Sequence, residues 1–113
     1  MKFNRFDFLA NCKESERIKV KYPTRMPIIV NDSFLKNKLT KHKYLVPNDL
    51  TCGEFMYIIR SRLKINNEEA LFMNIQKHIP SNSSLMADQQ FDPDGFMYVD
   101  LRLENTFGTY LNK

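Results

Sequence analysis

The sequence predicts a single α+β domain, a four-stranded mixed sheet with one capped helix packed across a face and two short helices leading into it. Met97, Val99, Leu101 and Leu103 alternate with Tyr98, Asp100, Arg102 and Glu104, the period-two pattern of a strand with one face buried. Thr51-Cys52-Gly53-Glu54 has the form of a capping box, standing directly ahead of Phe55, Ile58, Ile59 and Leu63 at helical spacing. Short apolar runs bounded by proline and polar residues supply the remaining strands.

From the N-terminus, Phe3, Phe6 and Leu9 stand three apart, and residues 13–21 carry alternating charge around Ile18 and Val20. Both stretches read as short helices, with the first packing on the sheet rather than touching lipid. Tyr22-Pro23 ends helix growth, because proline pushes the residue before it out of the helical region. Met26-Pro27-Ile28-Ile29-Val30 is the first strand, and its proline suits a strand start or an edge. A polar, lysine-rich connection leads to Lys43-Tyr44-Leu45-Val46, which can pair with the first strand across a long loop. The capped helix follows, with Arg60, Arg62 and Lys64 towards its C-terminal end, where cations suit the helix dipole. Residues 69–75 form the third strand, a short helical turn is expected at Ser84-Leu85-Met86, and Asp92-Pro93-Asp94-Gly95 turns the chain into the last strand. That order is the order of a ubiquitin-like β-grasp.

With 113 residues the chain holds one modest core, without room for a deep enclosed active site as well. The N-terminus lacks a secretory signal and no apolar run approaches the length of a spanning helix, so a cytoplasmic protein is expected. Cys12 and Cys52 have neither metal-ligand nor redox spacing, so reduced thiols, no metal and no cofactor are expected. The net charge of +4 is spread along the chain, which suits acidic partners or anionic lipid and does not call for nucleic acid. His42 and His78 have no carboxylate adjacent in sequence, and Cys52 lies in a helix cap, so no catalytic constellation is expected and the chain is read as a non-enzyme.

The tail, Glu104-Asn105-Thr106-Phe107-Gly108-Thr109-Tyr110-Leu111-Asn112-Lys113, places a glycine behind an aromatic residue after the last strand. Gly108 has no Cβ and could thread a narrow enzyme channel, although Phe107-Gly108 could equally do no more than close the strand. The chain resembles the lipid-conjugated autophagy modifiers that include the GABA-receptor-associated proteins and the microtubule-associated light chains. The resemblance runs through Glu14-Ser15-Glu16-Arg17-Ile18, Tyr22-Pro23-Thr24-Arg25-Met26-Pro27, Lys43-Tyr44-Leu45-Val46-Pro47, Asp49-Leu50-Thr51, Ile59-Arg60-Ser61-Arg62, Asp94-Gly95-Phe96-Met97-Tyr98-Val99 and Glu104-Asn105-Thr106-Phe107-Gly108. It departs in the Asn31–Thr40 connection and in the stretch from Asp88 to Pro93, which is shorter.

The resemblance implies an N-terminal helical extension (1–22), a β-grasp domain (23–104) and a flexible tail (105–113). It implies a cysteine protease that cuts after Gly108, recognising Phe107 and Thr109, and activating and conjugating enzymes that attach Gly108 to phosphatidylethanolamine on the autophagosome membrane. It also implies cargo receptors bearing an aromatic-x-x-aliphatic motif, bound by strand addition. Glu14, Ile18, Pro27, Ile29, Lys43, Leu45 and Phe96 would line the aromatic pocket; Tyr44, Val46, Pro47, Leu50, Phe55, Ile58 and Arg62 would line the aliphatic one. Lys41, Lys43 and Arg25 would meet acidic residues flanking the motif. The residue pattern leaves open that Ile29, Leu45, Val46, Leu50, Phe55 and Ile58 are simply core. A β-grasp peptide-binding or trafficking adaptor that is never conjugated would share the core, but would not need Gly108 or its removable extension.

Overall fold

A computed structural model describes residues 4–36, 38–65 and 69–105. Its elements are α1 (Phe8–Lys21), β1 (Arg25–Asn31), β2 (Lys43–Pro47), α2 (Cys52–Arg62), β3 (Glu69–Asn74), a 3₁₀ turn (Met86–Asp88) and β4 (Met97–Asn105). The strands lie in the order β2-β1-β4-β3. β1 is antiparallel to β2 and parallel to β4, and β3 is antiparallel to β4. This is the ubiquitin-like fold expected.

Alternation along the strands divides the sheet into two faces. Met26, Ile28 and Val30 of β1, Tyr44 and Val46 of β2, and Met97, Val99 and Leu101 of β4 join Phe55, Ile59 and Leu63 in the main core. Burying a large side chain there contributes roughly 1.5–3 kcal/mol. Pro27, Ile29, Lys43, Leu45 and Tyr98 fall on the opposite face, where α1 lies against β1. Pro27 fits in this central strand because Val30 N–H donates to His42 O at 2.8 Å, which makes Pro27↔Leu45 a non-hydrogen-bonded pair. The missing Pro27 N–H would face β4, and the register with β4 begins only at Ile28↔Met97.

α2 starts at the expected capping box. Glu54 N–H donates to Thr51 Oγ1 at 3.1 Å and Thr51 N–H to Glu54 Oε1 at 2.9 Å. Cys52 N–H and Gly53 N–H donate to Ser84 O and Asn82 O at 2.8 and 2.9 Å, so the loop before the 3₁₀ turn completes the capping of the helix. That turn spans Met86–Asp88, two residues later than expected, because Ser84 is occupied at the α2 cap.

The leading segment differs from expectation. The described residues before β1 form one continuous helix rather than two short ones. Asp7 caps it, its carboxylate accepting from Ala10 N–H at 3.3 Å, and no glycine or proline interrupts the following residues. Phe6 and Leu9 are 91% and 72% exposed and do not pack on the sheet, while Phe3 lies outside the described residues. Asn11 and Ser15 are its buried residues: Ser15 ties the helix to the turn before β4, and Asn11 holds the segment leading into the helix. Asn11 Nδ2 donates to Asn4 O at 2.8 Å, and Ser15 Oγ to Asp94 O at 2.7 Å.

Candidate functional site

β2 is an edge strand, so one side of its backbone has no partner strand among the described residues. The register that turns the N–H and C=O groups of Tyr44 and Val46 towards β1 turns those of Lys43 and Leu45 outward. Arg25, exposed at the start of β1, lays its guanidinium against Leu45 O at 3.4 Å.

On the α1 side of this edge, Phe96 is fully buried and forms a floor beside the buried Pro27. Ile18, Ile29 and Leu45 are half-buried around it. Lys43 spans the cleft: its ammonium donates to Glu14 Oε2 on α1 and stands 5.8 Å from the Phe96 ring centroid. All seven residues expected for the aromatic pocket therefore lie on α1, on the α1 face of β1 and β2, and at the entry to β4. Tyr98 stands beside them opposite Ile29, its hydroxyl donating to the buried Asp94 and Arg5 stacked 4.1 Å from its ring centroid. Burial and the Asp94 carboxylate push the Tyr98 hydroxyl far above its ordinary range, so it remains a donor.

On the α2 side, Tyr44 and Phe55 meet edge to face with centroids 6.0 Å apart. Both are buried with Val46, so these three are core residues that underlie the surface rather than rim it. Leu50 and Ile58 are half-buried, and Pro47 and Arg62 are exposed. Arg62 and Lys41 bracket the Tyr44 ring, 5.7 and 5.2 Å from its centroid. Burial pushes the Tyr44 hydroxyl up, and its oxygen has no hydrogen-bond partner among the described residues.

Two arrangements were not foreseen. Asp32, buried at the end of β1, accepts from Leu39 N–H at 2.7 Å and meets His42 Nε2 at 3.0 Å, so His42 does have a carboxylate beside it. The pairing spans ten residues of loop and leaves no local sequence signal. Burial raises the Asp32 carboxyl, but the Leu39 N–H and His42 outweigh it and hold the group below its ordinary value. The Ser15–Asp94 contact is the second; its visible trace is Asp94-Gly95-Phe96, where the Asp94 carboxylate accepts from Phe96 N–H at 2.9 Å. Cys52 is fully buried against Ser84, and burial pushes its thiol up, away from nucleophilic character. No group of three or more His, Cys, Asp or Glu side chains could hold a metal among the described residues. No described helix is long and apolar enough to cross a membrane.

The family profile described as "Autophagy protein Atg8 ubiquitin like" matches residues 10–108. The chain belongs to the Atg8 family. Autophagy-related protein 8 of Schizosaccharomyces pombe is 42% identical over 109 residues, covering 92% of this chain and 90% of the relative. Autophagy-related protein 8a of Arabidopsis thaliana is 41% identical over 105 residues, covering 88% and 86%. The crystal structure of Trypanosoma brucei ATG8 superposes with a TM-score of 0.76 at 31% identity, covering 95% of this chain and all of that one. As an Atg8-family member the chain is a ubiquitin-like protein of autophagy, and not itself an enzyme. The glycine and its neighbours expected to be processed, Phe107, Gly108 and Thr109, lie outside the described residues, as does the rest of the tail.

Proposed function

We propose that this Atg8-family chain is a cytoplasmic modifier that is cut after Gly108, joined through it to phosphatidylethanolamine, and used on autophagosomal membranes to recruit receptors carrying an aromatic-x-x-aliphatic segment. The observation that carries the recruiting half is the edge strand β2, which has the Lys43–Glu14 bridge to α1 on one face of the sheet and the Tyr44–Phe55 pair on the other. A peptide added along β2 alternates its side chains between the faces of the sheet, so anchors three positions apart point to opposite faces. One enters between α1 and β2, over Phe96; the other lies over Tyr44, Val46 and Phe55, between Leu50 and Ile58. The outward amide and carbonyl groups of Lys43 and Leu45 supply the main-chain bonds, displacing Arg25 from Leu45 O. Lys41, Lys43 and Arg25 then face acidic flanking residues and act chiefly on the encounter rate.

Family membership supports the conjugating half, and so does the match ending at Gly108, with Thr109 to Lys113 beyond it. Hydrolysis of the Gly108–Thr109 amide by the protease leaves a Gly108 carboxylate. An activating enzyme joins that carboxylate to the phosphoryl group of a nucleoside triphosphate, an enzyme cysteine displaces the resulting phosphate to form a thioester, and attack by the lipid amine then forms the amide and releases the thiol. The activating and conjugating enzymes bring the catalytic groups; this chain contributes an unhindered acyl carbon.

Titration of the ¹⁵N-labelled chain with a peptide of pattern acidic-aromatic-x-x-aliphatic tests the recruiting half. Saturable shifts at Ile18, Ile29, Lys43, Leu45 and Ile58 are expected, and a Leu45→Asp variant that stays folded should lose at least tenfold in affinity. Saturable shifts elsewhere, or an unaffected Leu45→Asp, would overturn it.

A further inference from the structure

A second concave site lies between α1, the start of β1 and the segment after the 3₁₀ turn, next to the end of β2. Ser15 and Lys19 of α1, Pro23, Met26 and Pro27 at the start of β1, and Phe91 after the 3₁₀ turn are among the residues enclosing about 530 Å³. Gly95 opens the inner end: its φ of +91° and missing side chain let Ser15 approach closely, and Ala87 contributes only a methyl group to the wall. The volume is within the range of small-ligand sites and is walled by four separate segments, unlike the open edge of β2.

Its chemistry is one-sided. Met26, Pro27, Pro23 and Phe91 give an apolar interior, and Met26 and Pro27 are buried β1 residues that cannot swing away. Lys19 and Arg25 stand at the mouth, both exposed, and none of the described lining residues is acidic. The Arg25 guanidinium makes one long contact to Leu45 O at 3.4 Å, which leaves most of its five donors for an arriving oxyanion. Asn48, also in the wall, adds an amide that now donates to Pro23 O at 3.3 Å. An apolar body bearing a carboxylate matches both the interior and the mouth; a cation or an uncharged polar solute matches neither.

We propose that this cavity binds a small free carboxylate with an aromatic or branched apolar body, at a site that adjoins the peptide-binding edge and shares Pro27 and Arg25 with it. The test titrates the ¹⁵N-labelled full chain with 4-phenylbutyrate, and with 4-phenylbutanol as the uncharged counterpart. The acid should give saturable shifts centred on Ser15, Ala87, Phe91 and Gly95. The alcohol should bind several-fold more weakly. An exposed cation paired with the carboxylate is worth a factor of about two to five. Lys19→Met with Arg25→Met should therefore weaken the acid about tenfold, with the spectrum otherwise unchanged. Ala87→Leu, which fills the cavity, should abolish the shifts if it folds; the Lys19 and Arg25 variant, confined to exposed side chains, decides the matter if it does not. Absence of saturation at millimolar acid, shifts centred on Lys43 and Leu45, or equal binding of acid and alcohol would each overturn the proposal.

Discussion

Gly95→Ala is expected to loosen α1 and weaken peptide binding although no groove residue changes. Gly95 has φ +91°, and a Cβ built there falls 2.8 Å from Ser15 Cβ and closer still to Ser15 Oγ. Holding an L-residue at positive φ costs roughly 1–2 kcal/mol. Pushing Ser15 aside also breaks the 2.7 Å bond from its hydroxyl to the Asp94 carbonyl. That bond is buried and worth about 1 kcal/mol net. The sum is about 2–3 kcal/mol, or a melting temperature lowered by roughly 8–12 °C for a chain of this size. Ser15 shares α1 with Glu14 and Ile18, so displacement of the helix also moves two residues proposed to line the aromatic pocket. Urea unfolding of Gly95→Ala, Ser15→Gly and the double variant measures the contact. Removing the Ser15 side chain relieves the clash, so the double variant should be more stable than the sum of the singles implies, by about 1 kcal/mol. A loss below about 0.5 kcal/mol for Gly95→Ala, or strict additivity, would refute the close approach of α1 to this turn.

Tyr44→Phe should stabilise the chain by about 1 kcal/mol in urea unfolding, because it removes a buried hydroxyl without a partner among the described residues. Thr51→Ala opens the reciprocal cap of α2 and should cost about 1 kcal/mol, read in the same assay. Asp32 has a folded-state pKa below its unfolded value, so its contribution is present above the unfolded value and fades as pH falls through the folded one. Stability should therefore drop as pH is lowered below about 4, and Asp32→Asn should flatten that part of the profile. A pH profile unchanged by Asp32→Asn would contradict the placement of the carboxylate against Leu39 and His42.

The strands and α2 were legible because each carries a local periodic signal: the proline-tolerant β1, the alternating β4, and the capping box of α2 with Phe55, Ile59 and Leu63 one face beyond it. The dual character of β2 was legible only in part. Tyr44, Val46 and Phe55 were expected at the aliphatic pocket and are buried core residues, a distinction that a run of apolar residues in sequence does not make. α1 was the least legible element, because its buried residues are the polar Asn11 and Ser15 rather than an apolar stripe, so its hydrophobic spacing pointed to residues that face solvent. The Asp32–His42 and Ser15–Asp94 contacts join positions 10 and 79 apart in sequence, and only folding brings them together.

The intact mass of the N-terminally tagged chain, after incubation in cytosolic extract of its source and then with membranes, tests the modifier reading most directly. The expected result is loss of Thr109 to Lys113, followed by a mass gain matching phosphatidylethanolamine, with Gly108→Ala unchanged throughout. An uncut tail in an extract that processes a known substrate would contradict it, leaving an Atg8-family domain that binds peptides without being conjugated.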